Sequence, residues 1–349
     1  MSGAGHRPLV SIIMIFLNAE LFIEEAIASV REQTYDHWEL ILVDDGSSDA
    51  STRIAREFQA RDRDRIRYVE HPGHVNRGMS ASRNRGLAVA SGELIAFLDA
   101  DDVYLPERLE RHVQALERYP EVQAVQSRCV LWHSWRGTRA YTPPDAYERA
   151  LPLPINVPIS PPGLLYLMLE SDGSTAPIPC SMTLRRATLE AVGGSEDSFR
   201  GLYEDLVMYA KVYLTAPVLV LNDCLARYRL HPASITHLSK RQRSDGARLA
   251  FLTWLACYLR AHEINEPLVW ESWRQAMWQF QHPAWWQIRE LPSQAVRAAI
   301  PFVKRVLSAP VADGMTRWWG ERKRAAAVAK AKRAWERMAG RSRRLQMKL

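Results

Sequence analysis

The first 130 residues predict an α/β fold, a mainly parallel sheet covered by helices on both faces, and three observations carry that reading. Apolar runs of strand length alternate with segments whose apolar residues recur at helical spacing. The runs are nearly unbroken in Ile, Leu and Val, the pattern of strands buried on both sides. Two of the runs end in acidic turns, DDGSSD and DADD. Those carboxyl ends are where open α/β sheets bind ligands.

The elements follow in order. LVSIIMIFL, Leu9 to Leu17, reads as the first strand. It is too short to span a bilayer, and Asn18 and acidic Glu20 follow it where a signal peptide would have small residues. Ile23, Ala26, Ile27 and Val30 then mark a helix face. WELILV, Trp38 to Val43, is the second strand, and the DDGSSD turn supplies N-caps at Ser47 or Ser48 for a helix carrying Ile54, Ala55 and Phe58. IRYVE is a short third strand, MSASRNRGLAVA a helix, and ELIAFL a fourth strand feeding DADD. Pro106 opens an amphipathic helix with Leu109, Val113 and Leu116 on one side. Seven prolines between Pro143 and Pro162 predict a long loop without regular structure, more often a functional lid than filler. PCSMTLRRATLEAVGG reads as a strand and a helix stopped by paired glycines. YEDLVMYAKVYL is a further helix, with Leu206, Tyr209 and Tyr213 on one face.

From about Ser239 the composition turns Trp-rich and nearly strand-free, dividing the chain into an α/β domain over 1–238 and a helical extension over 239–349. Charge divides unevenly too. Arg317 to Leu349 holds twelve Lys and Arg against two Glu, a net +10, so the remaining residues carry −3 of the overall +7. The tail's Val328, Ala331, Trp335 and Met338 share one helical face among those basic residues, which suits an anionic membrane surface. A solvated helix packed on its own domain and a nucleic-acid contact are the other readings of the same pattern. Cys129, Cys180, Cys224 and Cys257 contain no C-x-x-C pair, so neither a zinc motif nor a redox motif is present, and reduced thiols in a cytoplasmic protein are expected.

DADD places three carboxylates, Asp99, Asp101 and Asp102, within four positions. Like charges about 4 Å apart repel by roughly 4 kcal/mol at surface dielectric. Such a cluster is either solvated or shares a cation. Divalent ions such as Mg²⁺ take one or two carboxylates and complete their shell with waters and substrate phosphates. By itself the motif leaves both readings open.

QTYDHWELILVDDGSSDAST followed by NRGMSASRNRGLAVASGELIAFLDADD resembles, in order and spacing, the family 2 glycosyltransferases of GT-A (Rossmann-like) fold, across roughly Pro8 to Ser234. The resemblance implies inverting transfer of a sugar from a nucleotide-sugar, most often a UDP-sugar, to a hydroxyl of a glycan or lipid-linked acceptor, as in cell-surface polysaccharide synthesis. It implies a nucleotide site with Ile15, Phe16 and Asn18 framing the base and Asp45 bonding to it, supported by Asp44. Arg83 would reach the nucleotide, with Asp99 and Ala100 against the ribose or phosphate. Asp101 would be the principal ligand of Mn²⁺ or Mg²⁺, and His231 of YRLHPAS would approach the metal or diphosphate. Asp205 of YED would be the catalytic base, with Glu204 second; at a helix N-terminus the macrodipole is expected to keep both ionised. The chain departs from the family at one point. Relatives end the first strand with Pro-x-Tyr-Asn, whereas Met14, Ile15, Phe16, Leu17 and Asn18 stand here, so uridine is not fixed as the base.

Several of these residues have a plainer reading. Asp45 also suits a turn and helix cap, and His231 a structural hydrogen bond. Trp132 and Trp135, beside His133, are either acceptor platforms for sugar rings or buried core. Two rival classes stand against the transferase. A sugar nucleotidyltransferase would carry a glycine-rich triphosphate loop with a following Lys, which is missing. A non-catalytic nucleotide-sugar or nucleic-acid binder would have no use for Asp101 together with Asp205. No stable nucleic-acid partner is expected, and the place of action is cytoplasmic, including the inner face of the cell membrane.

Overall fold

The computed structural model describes residues 6–136, 144–148, 155–171, 173, 175–234 and 245–282. Strands β1 (Val10–Phe16) and β2 (Trp38–Asp44) are buried at every position, so each needs cover on both faces. Period-two alternation divides β1 between two cores: Ile12, Met14 and Phe16 face one, Ile13 and Ile15 the other. Each such isoleucine withdrawn from water contributes about 1.5–3 kcal/mol. Helix α1 (Ile23–Arg31) covers the first face and α3 (Met79–Leu87) the second. Gly86 permits the close approach of α3, since a Cβ there would lie 2.5 Å from the Ile13 side chain. With α2 (Ser51–Arg61), β3 (Ile66–Glu70) and β4 (Leu94–Asp99), these elements make a parallel half-sheet of order β3-β2-β1-β4.

The second half of the sheet is mixed. It comprises β5 (Val103–Tyr104), α4 (Arg108–Arg118), β6 (Ala124–Trp132), β7 (Ala146–Tyr147), β8 (Pro158–Ile159), α5 (Gly163–Glu170), β9 (Met182–Arg185), α6 (Arg186–Ala191), α7 (Glu204–Thr215) and β10 (Val218–Arg229). Antiparallel β9 sits between β4 and β6, β10 runs parallel to β6, and β5 closes the edge antiparallel to β10. Two register shifts interrupt β10 between Val220 and Ala226 and re-aim its last residues. Buried Arg108 fastens α4 to β9 by donating to the carbonyls of Cys180 and Met182 and to Thr183 Oγ1. Helices α8 (Asp245–Ala261) and α9 (Pro267–Gln281) pack on α7 and α5, and Phe251, Leu252 and Leu255 join the core that holds Ile13 and Val207.

Two local expectations change, and one helix is added. Neither Ser47 nor Ser48 caps α2; Asp49 accepts the Ser51 N–H and Glu20 the Ala50 N–H, because the turn directs Ser47 Oγ to the Asn18 N–H instead. The proline-rich segment includes the two-residue strands β7 and β8, which pair with the edges of β6 and β10. Helix α5, apolar all round and almost wholly buried, follows directly and has no polar face to announce it. All four cysteines are free. Among the described residues no helix is long and apolar enough to cross a membrane. The 238/239 division and the basic tail with its membrane-surface expectation lie outside the described residues.

Candidate active site

The carboxyl ends of β1 and β2 carry the first acidic turn. Asp44 is wholly buried; its Oδ1 accepts the N–H groups of Gly46 and Ser47, and Oδ2 accepts the hydroxyls of Thr52 and Tyr68. Asp45 caps the start of α3, accepting the Arg77 N–H at 2.7 Å and the Gly78 N–H at 3.0 Å, with His71 Nε2 3.6 Å away. Asn18, at φ 52°, accepts the Ser48 N–H on Oδ1, while Ile15 and Phe16 are buried beside the turn. Gly46 has φ 88°, and a Cβ there would lie 2.9 Å from the Asn76 backbone nitrogen, so the turn sits hard against residues 74–76. Every carboxylate in this region that the resemblance assigns to the base is thus also a structural acceptor.

The second turn separates its carboxylates. Asp99 Oδ1 accepts from Arg83 Nη2 at 3.1 Å, Asp101 Oδ2 lies 3.0 Å from His231 Nε2, and Asp102 is fully buried, accepting the Arg229 N–H. Of the two open readings of the cluster, a cation shared by all three carboxylates does not fit Asp102. Asp102 points inward, where burial pushes its carboxyl well above the ordinary range and no second partner meets its Oδ2. Ala100 is buried in the same turn.

Arg83 has two carboxylate partners that the resemblance does not announce. Its side chain is 2% exposed, and its guanidinium is held between Asp99 and Glu204. Burial opposes the Arg83 charge, and Glu204 and Asp99 overcome that and hold its pKa above the usual guanidinium value. Glu204 is engaged by this ion pair, which leaves Asp205, one residue on and partly open, as the accessible member of the ED pair. Both carboxyls are shifted upward, opposite to the helix-dipole expectation. Burial raises Asp205, with Asp99 adding and Arg83 opposing, and burial raises Glu204 to about 7. Desolvation here outweighs a dipole contribution of about 0.3–1 kcal/mol.

Trp132 and Trp135 lie beside the Asp101–His231 pair. Trp135 Nε1 donates to the Leu230 carbonyl at 2.9 Å, and its ring meets the His231 ring edge-on at 6.4 Å. The Arg229 guanidinium stands 4.4 Å from the Trp132 ring and 5.2 Å from that of Trp135. The sequence reading missed Arg229, Phe22 and Glu25 at this site. One signal was available: Arg229 and His231 are two residues apart at the end of a strand, the spacing that puts side chains on one face.

The doubly wound half-sheet, the mixed second half and the carboxylates at its strand ends define a GT-A protein. The chain belongs to Glycosyl transferase family 2: the family's sequence model matches residues 11–187, just over half of its length. EpsE of Bacillus subtilis (strain 168), which carries a provisional glycosyltransferase name, is 39% identical over 134 residues, covering 38% of this chain and 48% of EpsE. TuaG of the same organism, provisionally named for teichuronic acid biosynthesis, is 38% identical over 109 residues, covering 31% of this chain and 42% of TuaG. The chain therefore matches less than half the length of either relative. Among solved structures, S. aureus TarS with UDP-GlcNAc aligns at TM-score 0.58 and 18% identity, covering 85% of this chain and 81% of that one. The mannosyltransferase PcManGT of Pyrobaculum calidifontis, with GDP-Man and Mn²⁺, aligns at TM-score 0.55 and 18% identity, covering 94% and 86%. At these identities the two structures show the shared fold.

Proposed function

We propose that the chain transfers a sugar, with inversion, from a nucleoside-diphosphate sugar to a hydroxyl of a glycan or lipid-linked acceptor, assisted by a divalent ion. The observation that carries this reading is the Arg83 bridge. One buried guanidinium joins Asp99, at the end of β4, to Glu204, the neighbour of Asp205 at the start of α7. The donor-facing turn and the base-bearing helix are thereby joined through the planar fork of arginine, one nitrogen to each carboxylate. The ligands named for TarS and PcManGT, UDP-GlcNAc and GDP-Man, support a nucleoside-diphosphate donor. TuaG's name supports a cell-wall polysaccharide role.

Asp101 and His231 offer one carboxylate oxygen and one imidazole nitrogen 3.0 Å apart, a donor set suited to Mn²⁺. With two protein ligands, diphosphate oxygens and water would have to complete the shell. When bound, the ion would offset the charge that builds on the departing diphosphate. The chain's own residues do the rest. Asp205 accepts the proton of the attacking hydroxyl, and its raised pKa brings it nearer the operating pH, where a general base is most effective. Arg83 and Glu204 keep the first turn of α7 fixed to the sheet, so Asp205 holds its place as the acceptor approaches.

Two measurements test the proposal. Thermal unfolding with UDP, GDP, dTDP, ADP or CMP, each with and without Mn²⁺, should give a metal-dependent rise in Tm with one diphosphate, absent in Asp101→Ala. Asp205→Asn should keep that rise and lose transfer by a factor of about 10²–10⁴. Near-normal turnover by Asp205→Asn refutes the base assignment. A chain that no nucleotide stabilises is not a transferase of this kind.

A further inference from the structure

Resting on that reading, we propose that Arg229 is a positioning residue for the Asp101–His231 pair, and that Trp132 and Trp135 serve it as a cage, on the donor side of the site rather than as acceptor platforms. Arg229 is 3% exposed at the end of β10, and its guanidinium touches the Asp101 backbone directly and the His231 ring through the aromatic rings between them. Its Nε donates to the main-chain carbonyl of Asp101 at 2.7 Å, and its own N–H donates to Asp102 Oδ1 at 3.0 Å, so the DADD turn is held at two consecutive residues. Nη2 donates to Glu25 Oε2 on α1 at 2.5 Å, which fixes the other edge of the fork.

The aromatic side of the arrangement reaches His231. The guanidinium lies 5.0 Å from Phe22, 4.4 Å from Trp132 and 5.2 Å from Trp135. Phe22 and Trp135 meet edge-on at 5.4 Å, and the His231 ring rests 4.8 Å from Phe22. The cation orders the two rings that wall the imidazole while it holds the backbone that carries the carboxylate. A lysine would keep the charge but offers no planar fork with which to satisfy Asp101 and Glu25 together while facing three rings. Trp132 and Trp135 each give a ring to this guanidinium, and the Trp135 N–H is already donated to Leu230.

The test is the affinity for UDP and for GDP, by calorimetry, with Mn²⁺ and without it. The wild-type chain should bind one of them more tightly with the metal. Arg229→Lys should keep the metal-free affinity and lose about tenfold or more of the metal-dependent gain, the usual cost of disturbing residues that orient metal ligands. Trp135→Leu, which leaves Arg229 in place, should lose part of the same gain, and it carries the test if Arg229→Lys folds poorly. Full retention of the metal-dependent gain in both variants overturns the proposal. A wild-type chain that binds neither nucleotide with the metal overturns the functional reading itself, and this inference with it.

Discussion

The two acidic turns look alike in the sequence and are held in opposite ways. In DDGSSD, Asp44 and Asp45 accept mainly from backbone N–H groups, those of Gly46, Ser47, Arg77 and Gly78. In DADD, Asp99 and Asp101 meet side chains instead, the guanidinium of Arg83 and the imidazole of His231. Backbone donors cannot leave, so the first turn is a fixed frame. Arg83 is buried against its carboxylates, whereas the Asp101 side chain beside His231 is 29% exposed, so Asp101 is the carboxylate of the second turn best placed to share a cation. Carboxylate density therefore says where to look in such a sheet, and the identity of the partner says which end can do chemistry.

This contrast can be broken in order of expected effect. Arg83→Gln removes the cation between Asp99 and Glu204 and leaves two carboxyls facing each other in the interior; urea unfolding should show a loss of about 3–5 kcal/mol. A loss below about 1 kcal/mol would mean that the second turn does not depend on its charged partner. Gly46→Ala attacks the first turn through its backbone alone, combining φ 88° with a Cβ 2.9 Å from Asn76 N, and should cost about 1–3 kcal/mol. Asp102→Asn sharpens the comparison, because Asp102 sits in the second turn yet accepts a backbone N–H like the first. An amide oxygen can accept the same bond, and the change should stay within about 1 kcal/mol.

The smallest effect concerns His74, which ties the first turn to the loop opposite. The Ser47 carbonyl and Glu70 raise its pKa above the ordinary 6.5. The stability so gained is complete below 6.5 and fades as pH rises through the raised folded-state value. His74 is 39% exposed, so solvent screening keeps the effect small. Unfolding of the wild type and His74→Gln should converge on going from about pH 6 to pH 8; parallel curves would show that this contact adds nothing.

Much of the scaffold was legible because strand burial writes itself into composition. LVSIIMIFL, WELILV and ELIAFL each match a strand of the parallel half to within one residue at either end. The mixed half was harder. β5, β7 and β8 are two residues each, too short for any period to register, and the antiparallel direction of β9 depends on a neighbour rather than on its own residues. At the site, motif order brought forward Asp101, His231 and Asp205, but allegiances across long separations stayed hidden. Asp45 serves a helix more than thirty residues on, and Arg83 is claimed by Glu204 across 121 positions. No local pattern records that an arginine will be buried between two carboxylates.

The position of β10 has a consequence for how the protein is made. Asp101 meets His231 across 130 residues of chain, and the Arg229 carrying the guanidinium is separated from Asp101 by 128. During synthesis at about 5–20 residues per second, on the order of ten seconds pass between the emergence of the carboxylate and that of its partners. Until then the nascent chain can assemble its parallel half-sheet and the Asp44 and Asp45 turn, whose donors are already present. A ribosome paused before residue 218 would display a folded frame whose reactive turn is still incomplete. The order of the strands along the gene thus withholds the Asp101–His231 pair until the end of β10 has been made.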